Sequence, residues 1–458
     1  MHVRRFDRGF TRRHFLDQVA RGAVAAGVLM PLWDALAADG DASAAYPDEL
    51  LSIEEYTKGK LKPGMEISAE NVDLVKDLLD PIQVEQIREM GRRLKLGPET
   101  RDIMRLSPWE YVEATIRNKG RARLDANRNV VTDDGTPWIG GHPFPATTDG
   151  FEAMAGQTLA WGRHDATVYV ITECDVSVDG DIRYRYEGAW AEMQATGRLV
   201  MDPKPHIPGK EDLLRFQAIF FTAPHDVRGT SFLNTWYYDQ RKFPDLFGYV
   251  PTFKRVRRFP TNQRFEPMLP GTDLYLSDAW AAGDPYLTWG NCRVVATGPA
   301  LAPLSGNWSG ADPDWTRKTH GGPKGLTFFD TVVELVPQTI VVESEPTSYP
   351  RAPISKKAVR FDLRTMLPVS MVSYDRRGKA FRSFDGAYSL YDDGTNRVMD
   401  GAHPYWSWSH IHAFNTQTRT MTRLEQRPGL ASGDTMKVND PSIYEAYLTQ
   451  SALQRRGF

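Results

Sequence analysis

Cysteine is nearly absent from this chain: 458 residues hold two, Cys174 and Cys292. A disulfide scaffold is therefore excluded, and stability has to come from apolar packing. Both cysteines sit in apolar, strand-like runs, so they can be two separate buried thiols or one bridge. Long apolar runs are missing as well. Beyond a short stretch at 22–32, nothing approaches the roughly 18 residues a membrane helix needs. There is no excess of one charge: 56 basic and 58 acidic residues give a net −2, which offers nucleic acid no general attraction. Neither an internal repeat nor a low-complexity segment occurs. H-E-x-x-H, C-x-x-C and G-x-S-x-G are all absent, so the common metalloprotease, redox and serine-hydrolase signatures are missing. Gly321-Gly322-Pro323-Lys324-Gly325 lacks phosphate-loop spacing and reads as a surface loop; Gly140-Gly141-His142 reads as turn geometry.

What is present begins with an export signal. Arg4, Arg5 and Arg8 lead into Thr11-Arg12-Arg13-His14-Phe15-Leu16, which resembles a twin-arginine motif. An apolar run from Gly22 to Leu32 follows, then small residues for cleavage at Ala35-Leu36-Ala37. The expected mature protein starts near Ala38 and is soluble in the periplasm. Six Arg and three Asp leave with the signal, so its net charge is about −5.

Helical spacing predicts an N-terminal helical segment over 38–104. Val72, Val75 and Leu79 mark a first helix after Ser68. Asp80-Pro81 with Gln83 forms a capping box for a second, carried on through Ile87, Met90 and Leu94 and stopped by Gly97-Pro98. From about 105 the apolar period becomes two. Val168, Val170, Cys174, Val176 and Val178, then Asp179-Gly180, then Ile182, Tyr184 and Tyr186 read as a hairpin with one wet face. A second hairpin runs from Leu214, Phe216, Ala218 and Phe220 through Gly229 to Phe232, Trp236 and Tyr238; a third pairs Val359-Phe361-Leu363 with Val369-Met371. Pro/Gly-rich stretches at 299–325 and 343–354 read as long loops, and Asp440-Pro441 caps a C-terminal helix. Hairpins with helices segregated to the ends predict an α+β fold, mostly antiparallel β.

Several short motifs in order carry a family resemblance. They include Asn71-Val72 to Leu79, Tyr111-Val112-Glu113-Ala114-Thr115, Gly140-Gly141-His142-Pro143-Phe144-Pro145 and Ala160-Trp161. Gly248-Tyr249-Val250-Pro251, Arg255-Val256-Arg257-Arg258, Arg360-Phe361-Asp362 to Gly378 and Phe414-Asn415 to Arg423 complete the set. Together they resemble a bacterial family of unknown function related to the periplasmic lipoprotein carrier LolA. Trp161-Gly162 departs from the family's Trp-Asn. The resemblance implies a LolA-like curved, half-open β-barrel with a helical lid, occupying 105–458 together with the C-terminal helix. It also implies partners among inner-membrane efflux-type transporters and outer-membrane proteins.

Three constellations are candidates for a site. Trp406, Trp408, His410, His412 and Phe414 alternate and, on a regular strand, would share one face. They form a cavity wall for a hydrophobic or lipid-like ligand, or ordinary core; Trp236, Tyr238 and Phe220 are further wall candidates. His410 and His412 form an H-x-H pair that would need His320 or His403 to hold a metal, and no metal or cofactor is expected. Arg255, Arg257 and Arg258 either clamp an anionic group or belong to a structural network with Asp273 and Asp278. A non-enzymatic periplasmic carrier ranks first, an adaptor of an envelope transport complex second, and an exported metal-dependent enzyme third. Replacing Arg12 and Arg13 by Lys together should leave uncleaved precursor in the cytoplasm on fractionation blots; mature-sized protein outside the inner membrane in that variant would refute the signal.

Overall fold

A computed structural model describes residues 46–457 apart from 162, 178, 262–263, 268, 279–283, 309, 311–316 and 323–326. The expected export signal, Gly162, Val178 and most of the Gly321–Gly325 loop therefore lie outside the described residues. Among the described residues, 16 strands form one sheet. In chain order they are β1 Glu66–Ile67, β2 Leu94–Leu96, β3 Ala166–Val176, β4 Ile182–Gln194, β5 Leu213–Ala223, β6 Ser231–Tyr237, β7 Asp245–Val250 and β8 Arg255–Phe259. Then come β9 Gly290–Ala302, β10 Val332–Glu345, β11 Ile354–Asp362, β12 Leu367–Asp375, β13 Ala380–Leu390, β14 Trp406–Asn415, β15 Thr420–Arg427 and β16 Lys437–Val438. The helices that matter are α1 Pro81–Glu89, α2 Trp109–Asn118, α3 Gly150–Leu159, α4 Ser442–Tyr447 and α5 Gln450–Arg456.

The sheet is two meanders joined side by side. β3 to β8 pair in sequence, as do β9 to β15, and β15 closes onto β3 with Leu424 opposite Glu173. Pairing is antiparallel except where β2 runs parallel to the start of β10. The sheet is not closed: β8 ends it on one side, and on the other β9 and the short β1–β2 pair both border β10. Yet α3 touches both halves. Its Gly150 abuts the Arg293 backbone on β9, while Arg215 on β5 donates to the Thr158 carbonyl at 2.6 Å. The sheet must curl around this helix to do so, which gives the half-open barrel.

Both faces of the sheet are covered. Inside, Tyr169, Trp190 and Ile219 of the first meander share one cluster with Ile340, Phe361 and Trp408 of the second, and with Val112 and Met154 of α2 and α3. Outside, α4 and α5 lay Ile443, Tyr447 and Leu453 over Val168, Ala189 and Phe220. Ile82 of α1, with Met90 just after it, covers Val341, Val372 and Phe414. Each fully buried aromatic or aliphatic side chain contributes about 1.5–3 kcal/mol by leaving water.

Local chemistry sets the ends of α1. The Asp80 carboxylate accepts from the Ile82 and Gln83 amides at 2.9 Å, and the Gln83 side chain reaches back to the Asp80 N–H, so the expected capping box is present. The helix stops at Glu89; Leu94 belongs to β2 instead. Over 68–79 the chain makes two 3-10 turns, Val72–Leu74 and Lys76–Leu78, where a helix was expected. Both geometries bury residues three apart, and Val72, Val75 and Leu78 pack on Leu301 and Leu335. The tail is broken into α4 and α5, with Thr449 capping the second.

Three further expectations are corrected. β3 is buried at every position, so the first hairpin has no wet face along it; only Ile182–Arg185 is exposed. Glu173 and Asp175 point inward because α4 and α5 occupy the other side. The expected lid is a filling: α2 and α3 lie within the curl, whereas the terminal helices lie outside it. The loops expected at 299–325 and 343–354 begin later, since β9 runs to Ala302 and β10 to Glu345. Of the two alternatives open for the cysteines, Cys174 and Cys292 take the first and are separate thiols. Asp80→Ala should cost about 1 kcal/mol, seen as a lower urea midpoint at unchanged slope; an unchanged midpoint would show that the cap contributes nothing.

Candidate functional site

The aromatic and histidine stripe does not lie on one face. Opposite β13, Gly386 faces Ile411 and Ala387 faces His410, but Tyr388 faces Trp408. Ser409 is thus an extra residue, a β-bulge, and its hydroxyl donates to the Ala387 carbonyl at 3.2 Å. A bulge reverses which side chains point inward. Trp406 and Trp408 face the interior with Ile411 and Ala413. His410, His412 and Phe414 face outward, beneath Phe328, Phe329 and α1.

The outward histidines are tied into structure. His412 Nε2 accepts from the Phe329 N–H at 3.0 Å, and His410 Nε2 lies 2.9 Å from Thr331 Oγ1. Burial, with Arg317 and Arg92 near His410 and Arg92 near His412, holds both imidazoles well below their ordinary pKa, so they are neutral. The distant histidines do not join them. His320 accepts from the Arg93 amide at 2.7 Å and meets Asp330 at 2.9 Å, and His403 stacks on Trp109. Among the described residues no cluster of three His, Cys, Asp or Glu is placed to hold a metal.

The interior next to the two tryptophans is nearly full. A hollow of about 30 Å³ remains between Trp406, Trp408, Tyr169, Tyr388, Arg163 and Gln157, room for about one water. The other proposed wall residues are dispersed. Phe220 is on the outer face against Tyr447. Trp236 lies under the Arg215 guanidinium, 4.5 Å away. The Tyr238 hydroxyl, whose hydrogen bonds tie it to Val130 and Trp138, serves a separate core.

The larger space lies elsewhere. A cavity of about 160 Å³ opens between β4–β8 and the segment that follows β8. Trp190, Ile219, Phe232, Leu246 and Phe259 form its apolar walls, Gln217 and Asn234 supply amides, and Pro260, Glu266 and Leu276 form the roof. Gly248 makes the packing possible: a Cβ there would lie 2.6 Å from Phe259 and 2.8 Å from Phe232. The roof is pinned to the second meander. The Asp273 N–H donates to Thr422 Oγ1 at 2.7 Å and Arg382 pairs with Asp278, while within the segment itself Arg264 pairs with Asp284 at 2.5 Å. Asp273 and Asp278 are thereby committed to this roof and do not meet the β8 arginines as expected. On β8, Arg255 and Arg257 share the side of Phe259, whereas Val256 packs outside in the α4–α5 layer. All three arginines are exposed, and Arg258 pairs with Asp245.

The inner carboxyls add an electrostatic feature. Glu173 is fully buried, with no hydrogen-bond partner for either oxygen among the described residues, and burial followed by Asp175 pushes its pKa up to about 8. Burial likewise raises Asp175 to about 6, against the pull of Arg183. Sequence reading had missed the cavity walls. The available signal was Gly248 in mid-strand, since an interior glycine marks close approach of neighbouring groups.

Fold and site together define a half-open antiparallel barrel that encloses a small apolar hollow near one edge. The family described as "Protein of unknown function (DUF1329)" matches residues 66–454, and the chain belongs to that family. Among solved structures, a domain from Vibrio parahaemolyticus named for outer membrane lipoprotein sorting is similar at 17% identity, covering 67% of this chain and 98% of its own, with a TM-score of 0.43. A DUF1329 family protein from Desulfovibrio piger is 13% identical over 66% of this chain and 97% of its own, TM-score 0.43. A LolA superfamily protein from Nitrosomonas europaea is 11% identical over 65% and 97%, TM-score 0.36. No curated protein matches. Among the described residues no helix is long and apolar enough to cross a membrane.

Glu173 has a raised folded pKa, so the folded state keeps its proton while the unfolded chain gives it up above about 4.5. Its contribution to stability is complete below that pH and is lost as pH rises toward about 8. Thermal melts of Glu173→Gln should show a smaller fall in Tm between these limits than the parent; equal falls would refute the assignment.

Proposed function

We propose that this chain is a non-catalytic binding protein of the bacterial periplasm that carries a hydrophobic or lipid-like molecule, whose apolar end lodges in the 160 Å³ cavity. The carrying observation is that cavity. It is walled by three aromatic rings and two aliphatic side chains, with two amides at its margin. An apolar hollow of about 150 Å³ accepts a benzene-sized guest. The part of the cargo that enters is therefore one small ring system or a short length of chain, and burying such a group is worth about 1.5–3 kcal/mol. The twin-arginine-like stretch Thr11-Arg12-Arg13-His14-Phe15-Leu16 supports the compartment. Handover to an inner-membrane transporter or an outer-membrane protein is the step in which such a carrier would serve an envelope transport system.

A second reading, an adaptor without cargo, draws support from the filled interior beside Trp406 and Trp408. The two separate in solution. Indole should raise the Tm of the purified protein and be lost on Leu246→Trp, which fills the hollow while the unliganded Tm changes little. No indole effect on the parent, with a clean mass spectrum of organic extracts, would leave the adaptor reading standing.

A further inference from the structure

The free edge of the sheet carries a basic and aromatic cluster that the cavity itself does not use. The turn into β8 and the strand read Phe253-Lys254-Arg255-Val256-Arg257-Arg258. Phe253 is a large apolar side chain 47% exposed, and the Arg257 guanidinium lies 4.2 Å over its ring. Lys254 adopts a left-handed backbone, φ 50°, a conformation uncommon for a residue with a side chain. Of the four cations, Arg258 is the one with a carboxylate partner among the described residues, Asp245. The chain as a whole is slightly acidic, net −2, so this edge is a local reversal of charge.

We propose that this edge docks on an anionic phospholipid surface, with Phe253 entering the headgroup region and Lys254, Arg255 and Arg257 meeting lipid phosphates. Charge complementarity selects an anionic partner, and the exposed ring selects a bilayer over an acidic protein. A single aromatic at a turn gains from an interface that is apolar beneath and charged above. Position agrees. The same side of β8 continues from Arg255 and Arg257 to Phe259 in the cavity wall, so an apolar group leaving a lipid layer would pass from the docked edge into the hollow. The inference deepens the carrier reading, but its test stands apart.

The mature chain should co-sediment with phosphatidylcholine vesicles that contain phosphatidylglycerol, not with phosphatidylcholine alone, and added salt should weaken the binding. Each cation near a charged bilayer is worth about fivefold in partition, so Arg255→Gln with Arg257→Gln should lose roughly thirtyfold. Phe253→Ser should weaken binding with the charges intact. Equal binding to neutral vesicles, no vesicle binding, or variants that bind like the parent would each overturn the proposal. Capture by polyglutamate but not by vesicles would also overturn it and assign the edge to an acidic protein. Leu246→Trp should still sediment and the arginine double variant should still respond to indole, so loss of cavity and loss of docking are told apart.

Discussion

An open sheet must hide two faces, and in this chain that requirement decides where everything else goes. β3, at the seam of the two meanders, is buried along its whole length, which a single covering layer cannot achieve. The ends of the described chain supply the outer cover, α1 on one half and α4 with α5 on the other, and α2 and α3 fill the inside. The larger space lies where the first meander runs toward its free edge and a loop, not a helix, closes over it. The ligand cavity is thus a remainder of the covering scheme, and its small size follows.

The same scheme accounts for the buried charges. Polar residues that alternate with apolar ones along a strand would face water in a one-sided sheet. Here they are buried under the covering segments and matched: Arg92 meets Asp385 at 2.6 Å, and Arg364 meets Asp362 at 3.1 Å. Such pairs are weak sources of net stability but strongly penalise the loss of one partner, so they fix how α1 and the N-terminal segment seat on the sheet. Glu173 has neither an ion-pair nor a hydrogen-bond partner among the described residues, and its proton is retained.

The hairpins at 166–194, 213–237 and 354–375 were legible because alternation and turn residues are local signals. So was the capping box at Asp80, whose chemistry lies within four residues. The covering of the second face was not, since it depends on helices far away in sequence. Val72, Val75 and Leu79 misled because 3-10 turns and α-helices bury residues at similar spacing. The aromatic stripe misled for a different reason. Alternation along 406–414 is real, but register is set by β13, and nothing within the stripe announces that Ser409 has no partner there. The cavity was missed because its walls come from five strands and a roof, each contributing one or two unremarkable apolar residues.

Ser409 acts as a phase shifter in the strand. With it in place, two imidazoles that would otherwise crowd the tryptophans are diverted to a dry outer seam where a backbone amide and a threonine hydroxyl receive them. Shortening the chain by that one residue would return the alternation to strict order: either the indoles or the imidazoles would have to change sides, and whichever moved would arrive where no hydrogen-bonding group or no room awaits it. One uncharged residue thereby governs the chemical identity of two surfaces at once.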